Sequence, residues 1–142
     1  MRTATTNPRL VVDTGPFVAA LSRTDTQHAR CARGFHQLAR ERWELLVPFV
    51  ILCEVHKLLL QALGERVARE KLAVLEASAT VVPLELDALE EAVALVRSLP
   101  GWTGTLQDAS LVVLARQYEC AVWTLDYRDL SRFAELAFWT PA

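Results

Sequence analysis

Short apolar segments alternate with amphipathic segments along nearly the whole chain, and this alternation constrains the fold more than any other feature. Four apolar segments indicate strands, at residues 9–12, 44–47, 79–84 and 121–125. Strands that alternate with helices form a parallel sheet covered on both faces. The sequence therefore predicts an α/β fold, a three-layer α/β/α sandwich with a central, mostly parallel sheet of four or five strands.

The intervening segments repeat apolar residues at helical spacing. The predicted helices span residues 16–21, 27–42, 49–63, 65–77, 86–99, 105–118 and 128–134, and a further strand is predicted at 137–140. No repeat, low-complexity stretch or linker-like segment interrupts this pattern. Residues 1–142 are therefore predicted to form a single domain.

Charge and cysteine content exclude several classes of protein. The net charge of −2 argues against a generally cationic nucleic-acid binder, so attraction to phosphate has to be local or come with metal ions. The three cysteines fit neither a disulfide framework nor a zinc motif.

The polar start of the chain has no signal-peptide pattern. Residues 45–63 are apolar but contain Pro48, Glu54 and Lys57, so we expect no membrane span and a cytoplasmic protein.

Four acidic side chains fall where a parallel sheet places its ligands. Asp13 immediately follows the first predicted strand, and Asp126 follows the fourth. Asp108 lies in the first turn of the last long helix, and Glu54 projects from a strongly apolar helix. Ligands of such sheets bind beyond the carboxyl ends of the strands, where the strand order reverses. The fold can therefore bring all four acids to one end of the sheet.

Each acid also has a purely structural interpretation. An aspartate between a strand and a helix caps the helix, and the spacing from Thr105 to Asp108 fits a capping box, as does that from Asp126 to Asp129. Glu54 lies beside an apolar stripe, so its charge needs either Lys57 or a cation as compensation.

The four acids together favour a metal site over four separate caps. Such a cluster repels itself and persists only with a compensating divalent cation. Hard oxygen ligands suit Mg²⁺ or Mn²⁺. A bound ion would activate a water molecule and hold a scissile phosphate.

Five segments, in chain order, resemble the PIN-domain ribonucleases of the VapC type, the toxins of bacterial toxin–antitoxin pairs. They are residues 10–21 (LVVDTGPFVAAL), 23–28 (RTDTQH), 50–54 (VILCE), 107–115 (QDASLVVLA) and 122–130 (VWTLDYRDL). The resemblance covers nearly the whole chain, which makes it more specific than any single motif.

The resemblance implies roles for individual residues and partners. Its metal-binding, catalytic acids are Asp13, Glu54, Asp108 and Asp126. Its supporting residues are Thr14 and Thr124, as hydroxyls near the metal or phosphate, and Asp129, as a peripheral residue or a cap on the last helix. It further implies Mg²⁺- or Mn²⁺-dependent endonucleolytic cleavage of RNA, a homodimer, and inhibition by a cognate antitoxin whose tail covers the acidic pocket.

Two positions depart from the family pattern, and other functions stay open. Thr105 stands where many relatives of this subgroup carry a further Asp, and Leu130 stands where Phe is usual. A receiver-like signalling domain would need paired acids at the first strand, but Val12 precedes Asp13; an Asp-x-Asp phosphatase fails because Gly15 occupies the second position. An inactive PIN scaffold that binds RNA or a partner is the remaining alternative. The roles of His28, Trp102 and the basic early helices are left undecided.

Overall fold

The computed structural model describes residues 6–142. Residues 1–5 lie outside the described part. They belong to the polar start of the chain and to the single domain predicted over residues 1–142. Six α-helices and four strands form within it. In chain order they are β1 (Arg9–Val12), α1 (Thr14–Leu21), α2 (His28–Arg40), β2 (Glu44–Pro48), α3 (Phe49–Leu63), α4 (Glu65–Ser78), β3 (Thr80–Val82), α5 (Leu86–Ser98), α6 (Leu106–Tyr118) and β4 (Ala121–Trp123), followed by a 3₁₀ turn at Leu130–Arg132.

The four strands form one parallel sheet in the order β3-β2-β1-β4. Each connection from β1 to β3 moves the chain one strand in the same direction. The chain then returns past β1 to place β4 on its other side. The strand order therefore reverses between β1 and β4, and the predicted α/β sandwich with a parallel sheet is confirmed.

The core follows from burial on both sides of the sheet. Leu10, Val11 and Val12 of β1 have no exposed surface, because a central parallel strand is covered by helices on both faces. Helix α6 packs on β1, and its residues 109–115 are all buried. No helix within residues 6–142 is long and apolar enough to span a membrane.

The C-terminal segment differs from its prediction. Residues 137–140 form no fifth strand. Phe138 makes only an isolated parallel bridge to Val122, and the Trp139 N–H donates to the Val122 carbonyl at 2.9 Å. The helix predicted at 128–134 is reduced to the 3₁₀ turn, and β4 ends at Trp123, two residues earlier than expected.

Helix α2 approaches β4 closely at Gly34. A Cβ atom there would lie 2.6 Å from Cη2 of Trp123 and 2.9 Å from Cγ of Pro141. Trp123 itself is 1% exposed, so it has no free space to move into. A side chain at position 34 therefore has to displace the core.

Replacing Gly34 with Ala should lower the free energy of unfolding by about 1–3 kcal/mol through overpacking, although Ala favours a helix by up to about 1 kcal/mol. Urea denaturation of G34A, W123F and the double variant measures this. Phenylalanine lacks the atom that causes the closest clash, so W123F should recover part of the loss caused by G34A. Strictly additive effects would show that the clash is relieved elsewhere.

Candidate active site

Asp13 lies at the point where the strand order reverses. Its backbone N–H donates to the carbonyl of Trp123 at 2.9 Å, which ties the end of β1 to the end of β4. One carboxylate oxygen accepts the N–H of Thr14 at 2.7 Å and caps α1. The other oxygen accepts the hydroxyl of Thr124 at 2.8 Å. Both carboxylate oxygens are thus fixed by the protein.

Thr124 joins Asp13 to Asp126. Its side chain is 1% exposed, and its hydroxyl accepts the backbone N–H of Asp126 at 3.1 Å. The same hydroxyl lies 3.2 Å from the Asp126 carbonyl. This turn also accounts for the early end of β4, because the Thr124 hydroxyl, and not a neighbouring strand, binds the backbone N–H and carbonyl of Asp126. A supporting role for this hydroxyl near a metal or phosphate stays a prediction; the structure shows it bound to Asp13 and to the Asp126 backbone.

Asp126 lies at the exposed rim of the site and is held by Arg128. The backbone N–H of Arg128 donates to Oδ1 at 3.1 Å, and its guanidinium donates to Oδ2 at 3.1 Å. These two contacts lower the pKa of the Asp126 carboxyl. The capping box expected between Asp126 and Asp129 is wrong, since the carboxyl of Asp126 binds Arg128 and the side chain of Asp129 caps nothing.

Asp108 forms the capping box that the sequence indicated. The Asp108 N–H donates to Oγ1 of Thr105 at 3.2 Å, and Oδ2 of Asp108 accepts the Thr105 N–H at 2.8 Å. The box fixes the start of α6. Thr105, the departure from the family pattern, therefore serves here as the helix cap.

Glu54 reaches α6 from α3. Its Oε2 accepts a long hydrogen bond from Gln107 at 3.4 Å and lies 3.5 Å from the ammonium of Lys57. The side chain is 28% exposed, so it lies at the edge of the apolar stripe rather than inside it. Of the two forms of compensation expected for this charge, the structure contains Lys57.

The negative charges of the site act on one another. Burial raises the pKa of Asp13 above its usual value, and the nearby charges of Asp108 and Asp126 raise it further, against the lowering effect of the bonds from Thr124 and Thr14. Asp13 is therefore within electrostatic reach of both Asp108 and Asp126. Glu54 joins them only through Gln107, the neighbour of Asp108.

The donor atoms of the four acids are of the type that a hard divalent cation prefers. All four predicted ligands are carboxylates, the donor type that Mg²⁺ and Mn²⁺ prefer. The unfavourable charge on Asp13 is what a cation would relieve. Within residues 6–142, however, no three His, Cys, Asp or Glu side chains are placed closely enough to hold an ion. An ion bound there would compete with the Arg128 guanidinium for Asp126 and with the Lys57 ammonium for Glu54.

The loop before α6 and the loop that carries Asp126 and Asp129 are held together by contacts that the sequence did not reveal. The indole N–H of Trp102 donates to the Asp129 carbonyl at 2.9 Å, and the hydroxyl of Thr103 donates to its carboxylate at 2.7 Å. Arg132 donates to the carbonyl of Pro100 at 3.0 Å. Asp129 and Trp102 therefore link the two loops.

Other candidates have structural roles. Nδ1 of His28 lies 2.9 Å from the Ala19 carbonyl and joins α2 to α1. Thr14 contributes its backbone N–H to Asp13, while a role for its hydroxyl stays a prediction. An apolar groove of about 290 Å³ is lined by α1, α2 and α4 and lies apart from the acids.

The raised pKa of Asp13 makes stability depend on pH. Because the folded state binds this proton more tightly than the unfolded chain, ionised Asp13 destabilises the protein at neutral pH, and protonation removes that cost as the pH falls toward the unfolded value. Asp13→Asn should therefore raise the Tm by a few degrees at pH 7, and the gain should shrink as the pH approaches 4. Thermal denaturation across this range measures it; a lower Tm at pH 7 would mean that the helix cap dominates.

Comparisons with known proteins agree with this architecture. The structure is similar to that of Mycobacterium tuberculosis VapC20, described as a sarcin–ricin loop cleaving toxin, with a TM-score of 0.77 and 18% sequence identity over 93% of this chain and 99% of that one. It is similar to VapBC2 from Rickettsia felis bound to a promoter DNA fragment, with a TM-score of 0.74 and 13% identity over 92% and 97% of the two chains.

A third similar structure is a toxin–antitoxin complex from Klebsiella pneumoniae, with a TM-score of 0.63 and 18% identity over 94% of this chain and 98% of that one. At these identities the likeness shows a shared fold. No curated protein matches the sequence. The family model described as the PIN domain matches residues 10–136. The chain therefore belongs to the PIN domain family.

Proposed function

We propose that the protein is an Mg²⁺- or Mn²⁺-dependent endoribonuclease and the toxin of a toxin–antitoxin pair. The observation that carries the proposal is the Thr124 hydroxyl, which binds the carboxylate of Asp13 and the backbone of Asp126 where the sheet reverses its strand order. A PIN domain with acids at this edge is suited to hydrolysis of a phosphodiester bond.

Asp13, Glu54, Asp108 and Asp126 would hold the ion. When bound, a divalent cation supplies a Lewis acid that lowers the pKa of a water molecule and neutralises charge on a phosphate. The protein supplies the positions. Asp13 is fixed by two hydrogen bonds, Asp108 by its cap on α6, and Asp126 by a loop tied to Thr124.

The residues differ in how readily they can rearrange. Asp13 is anchored on both oxygens inside the sheet edge, so it provides the fixed ligand. Asp126 is 63% exposed and Glu54 is bound only by long contacts, so both can turn toward an ion at small cost. In an inactive scaffold, Arg128 and Lys57 would instead stay bound to Asp126 and Glu54. Cleavage of RNA with a divalent cation distinguishes the two alternatives.

The antitoxin part of the proposal is supported by relatives. Similar folds occur in a toxin–antitoxin complex and in VapBC2 bound to promoter DNA. A negative pocket that must be kept from RNA is suited to cover by a basic antitoxin tail. A cytoplasmic location belongs to the same proposal, and the three free cysteines fit a reducing compartment.

A homodimer would cover an apolar face of α5. Leu86 is 67% exposed and Leu89 is 48% exposed, and Val96 continues the same face of the helix. Neighbouring exposed apolar side chains of this kind mark an interaction surface. We propose that a second copy of the chain packs here.

Cleavage of RNA is expected only with Mn²⁺ or Mg²⁺ and only with the acids intact. Asp13→Asn and Asp126→Asn should each reduce cleavage of ribosomal and transfer RNA by at least about a hundredfold, since each removes a charged ligand. Gel analysis with and without EDTA measures this, and an oligonucleotide containing the sarcin–ricin loop is one substrate to include.

Asp25→Asn is the matched control. Its Oδ1 accepts the N–H of Gln27 at 2.8 Å, two residues along the chain, as Asp126 does with Arg128. It should cleave like the unaltered protein. Full activity in Asp13→Asn and Asp126→Asn, or no metal-dependent cleavage by the folded wild type, would refute the nuclease and support the scaffold.

Negative charges introduced on the exposed apolar face of α5 should dissociate the proposed dimer into monomers. Leu86→Glu combined with Leu89→Glu should shift the mass in light scattering from dimer to monomer, because like charges would meet in an apolar contact. Ala94 lies on another face of the same helix, so Ala94→Glu is the control and should leave the dimer intact. A monomeric wild type, or a double variant that remains dimeric, would rule out this face.

A further inference from the structure

Arg128 contacts an acid of the proposed site through a pair that is easily exchanged. Its guanidinium lies 3.1 Å from Oδ2 of Asp126, and its side chain is 80% exposed. The partner carboxylate is 63% exposed. Ion pairs this exposed contribute about 0–1 kcal/mol to stability. Little free energy therefore holds Arg128 in its present place.

Two other arginines in this part of the chain are held more firmly. Arg116 lies between Glu91 and Glu135 and packs over the ring of Phe133 at 5.4 Å. Arg132 donates to a backbone carbonyl of the adjoining loop. Arg128, in contrast, has a single carboxylate as the partner of its guanidinium among residues 6–142. It is the arginine at this rim that can change partners.

A cation at Asp126 would free Arg128 without moving it away. A divalent ion competes directly for the oxygen that the guanidinium binds. The backbone N–H of Arg128 also donates to Asp126, so the two residues stay in one short turn. A released guanidinium would remain at the rim, within a protein whose net charge of −2 otherwise repels a polyanion.

We propose that Arg128 binds a backbone phosphate of the RNA, and that it exchanges Asp126 for this phosphate when a divalent cation binds the carboxylate. The planar guanidinium matches a phosphate with two parallel hydrogen bonds. Before the cation binds, the same group neutralises Asp126. The inference rests on the proposed function for its RNA and its metal, and it adds a substrate-binding residue outside the four acids.

RNA binding with and without a cation tests the exchange. The probe is a short fluorescein-labelled RNA hairpin, followed by anisotropy in EDTA and in Ca²⁺, which takes oxygen ligands in a looser geometry than Mg²⁺. Arg128→Ala should weaken binding about tenfold in Ca²⁺, as expected for one charge-assisted contact. It should change binding less than about twofold in EDTA, because a phosphate that draws Arg128 away there leaves the Asp126 carboxylate uncompensated beside it. In Ca²⁺, the slope of log affinity against log salt concentration should become shallower by about one unit, the effect of one lost phosphate contact.

Two further variants and a titration separate this role from a structural one. Arg128→Lys keeps the charge and should retain most of the affinity, and Arg66→Ala removes the exposed arginine of a pair within α4 and should have no effect. Mn²⁺ should bind Arg128→Ala as tightly as the wild type, or up to about fivefold more tightly, because a competitor is gone.

Different failures have different meanings. An equal loss of RNA affinity in EDTA and Ca²⁺ would overturn the exchange, and weaker Mn²⁺ binding by Arg128→Ala would show that Arg128 positions Asp126 instead. If the wild type binds Mn²⁺ and cleaves RNA while Arg128→Ala binds RNA normally, only this inference fails. If the wild type binds neither Mn²⁺ nor RNA, the proposed function fails with it.

Discussion

The hydrogen bond from Thr124 to Asp13 is the contact on which the site depends. It joins the ends of β1 and β4, between which the strand order reverses, and the same hydroxyl accepts the backbone N–H of Asp126. Since Thr124 is buried, this contact is sheltered from water and fixes the spacing of the two acids. The end of the sheet thus sets the relative positions of Asp13 and Asp126.

The charge of neighbouring acids acts on Asp13, and basic side chains pair with two of the other acids. Burial and neighbouring charge raise the pKa of Asp13, while Arg128 and Lys57 neutralise Asp126 and Glu54. These partners lie three or fewer residues from the acids that they bind. Arg128 and Lys57 thereby offset part of the negative charge of the acids, and an ion bound there would replace them.

Local patterns were sufficient to predict most of the fold. The helix at Phe49–Leu63 was predicted to the residue, and the capping box of Thr105 and Asp108 follows from their spacing. The early end of β4 was not predicted, because it coincides with hydrogen bonds between the Thr124 hydroxyl and the Asp126 backbone, which leave no periodic signal. The link from Trp102 to Asp129 joins residues 27 apart and leaves no periodic signal. The pairing of Arg128 was missed because ion pairs in loops have no fixed spacing.

The most direct measurement is a crystal structure of the protein soaked in Mn²⁺, with the ion located by its anomalous scattering. We expect a peak about 2.1 Å from a carboxylate oxygen of Asp13, with Asp108 or Asp126 among its other ligands and the guanidinium of Arg128 turned away. A saturated crystal in which all four acids keep their present hydrogen bonds, with no peak among them, would contradict the account.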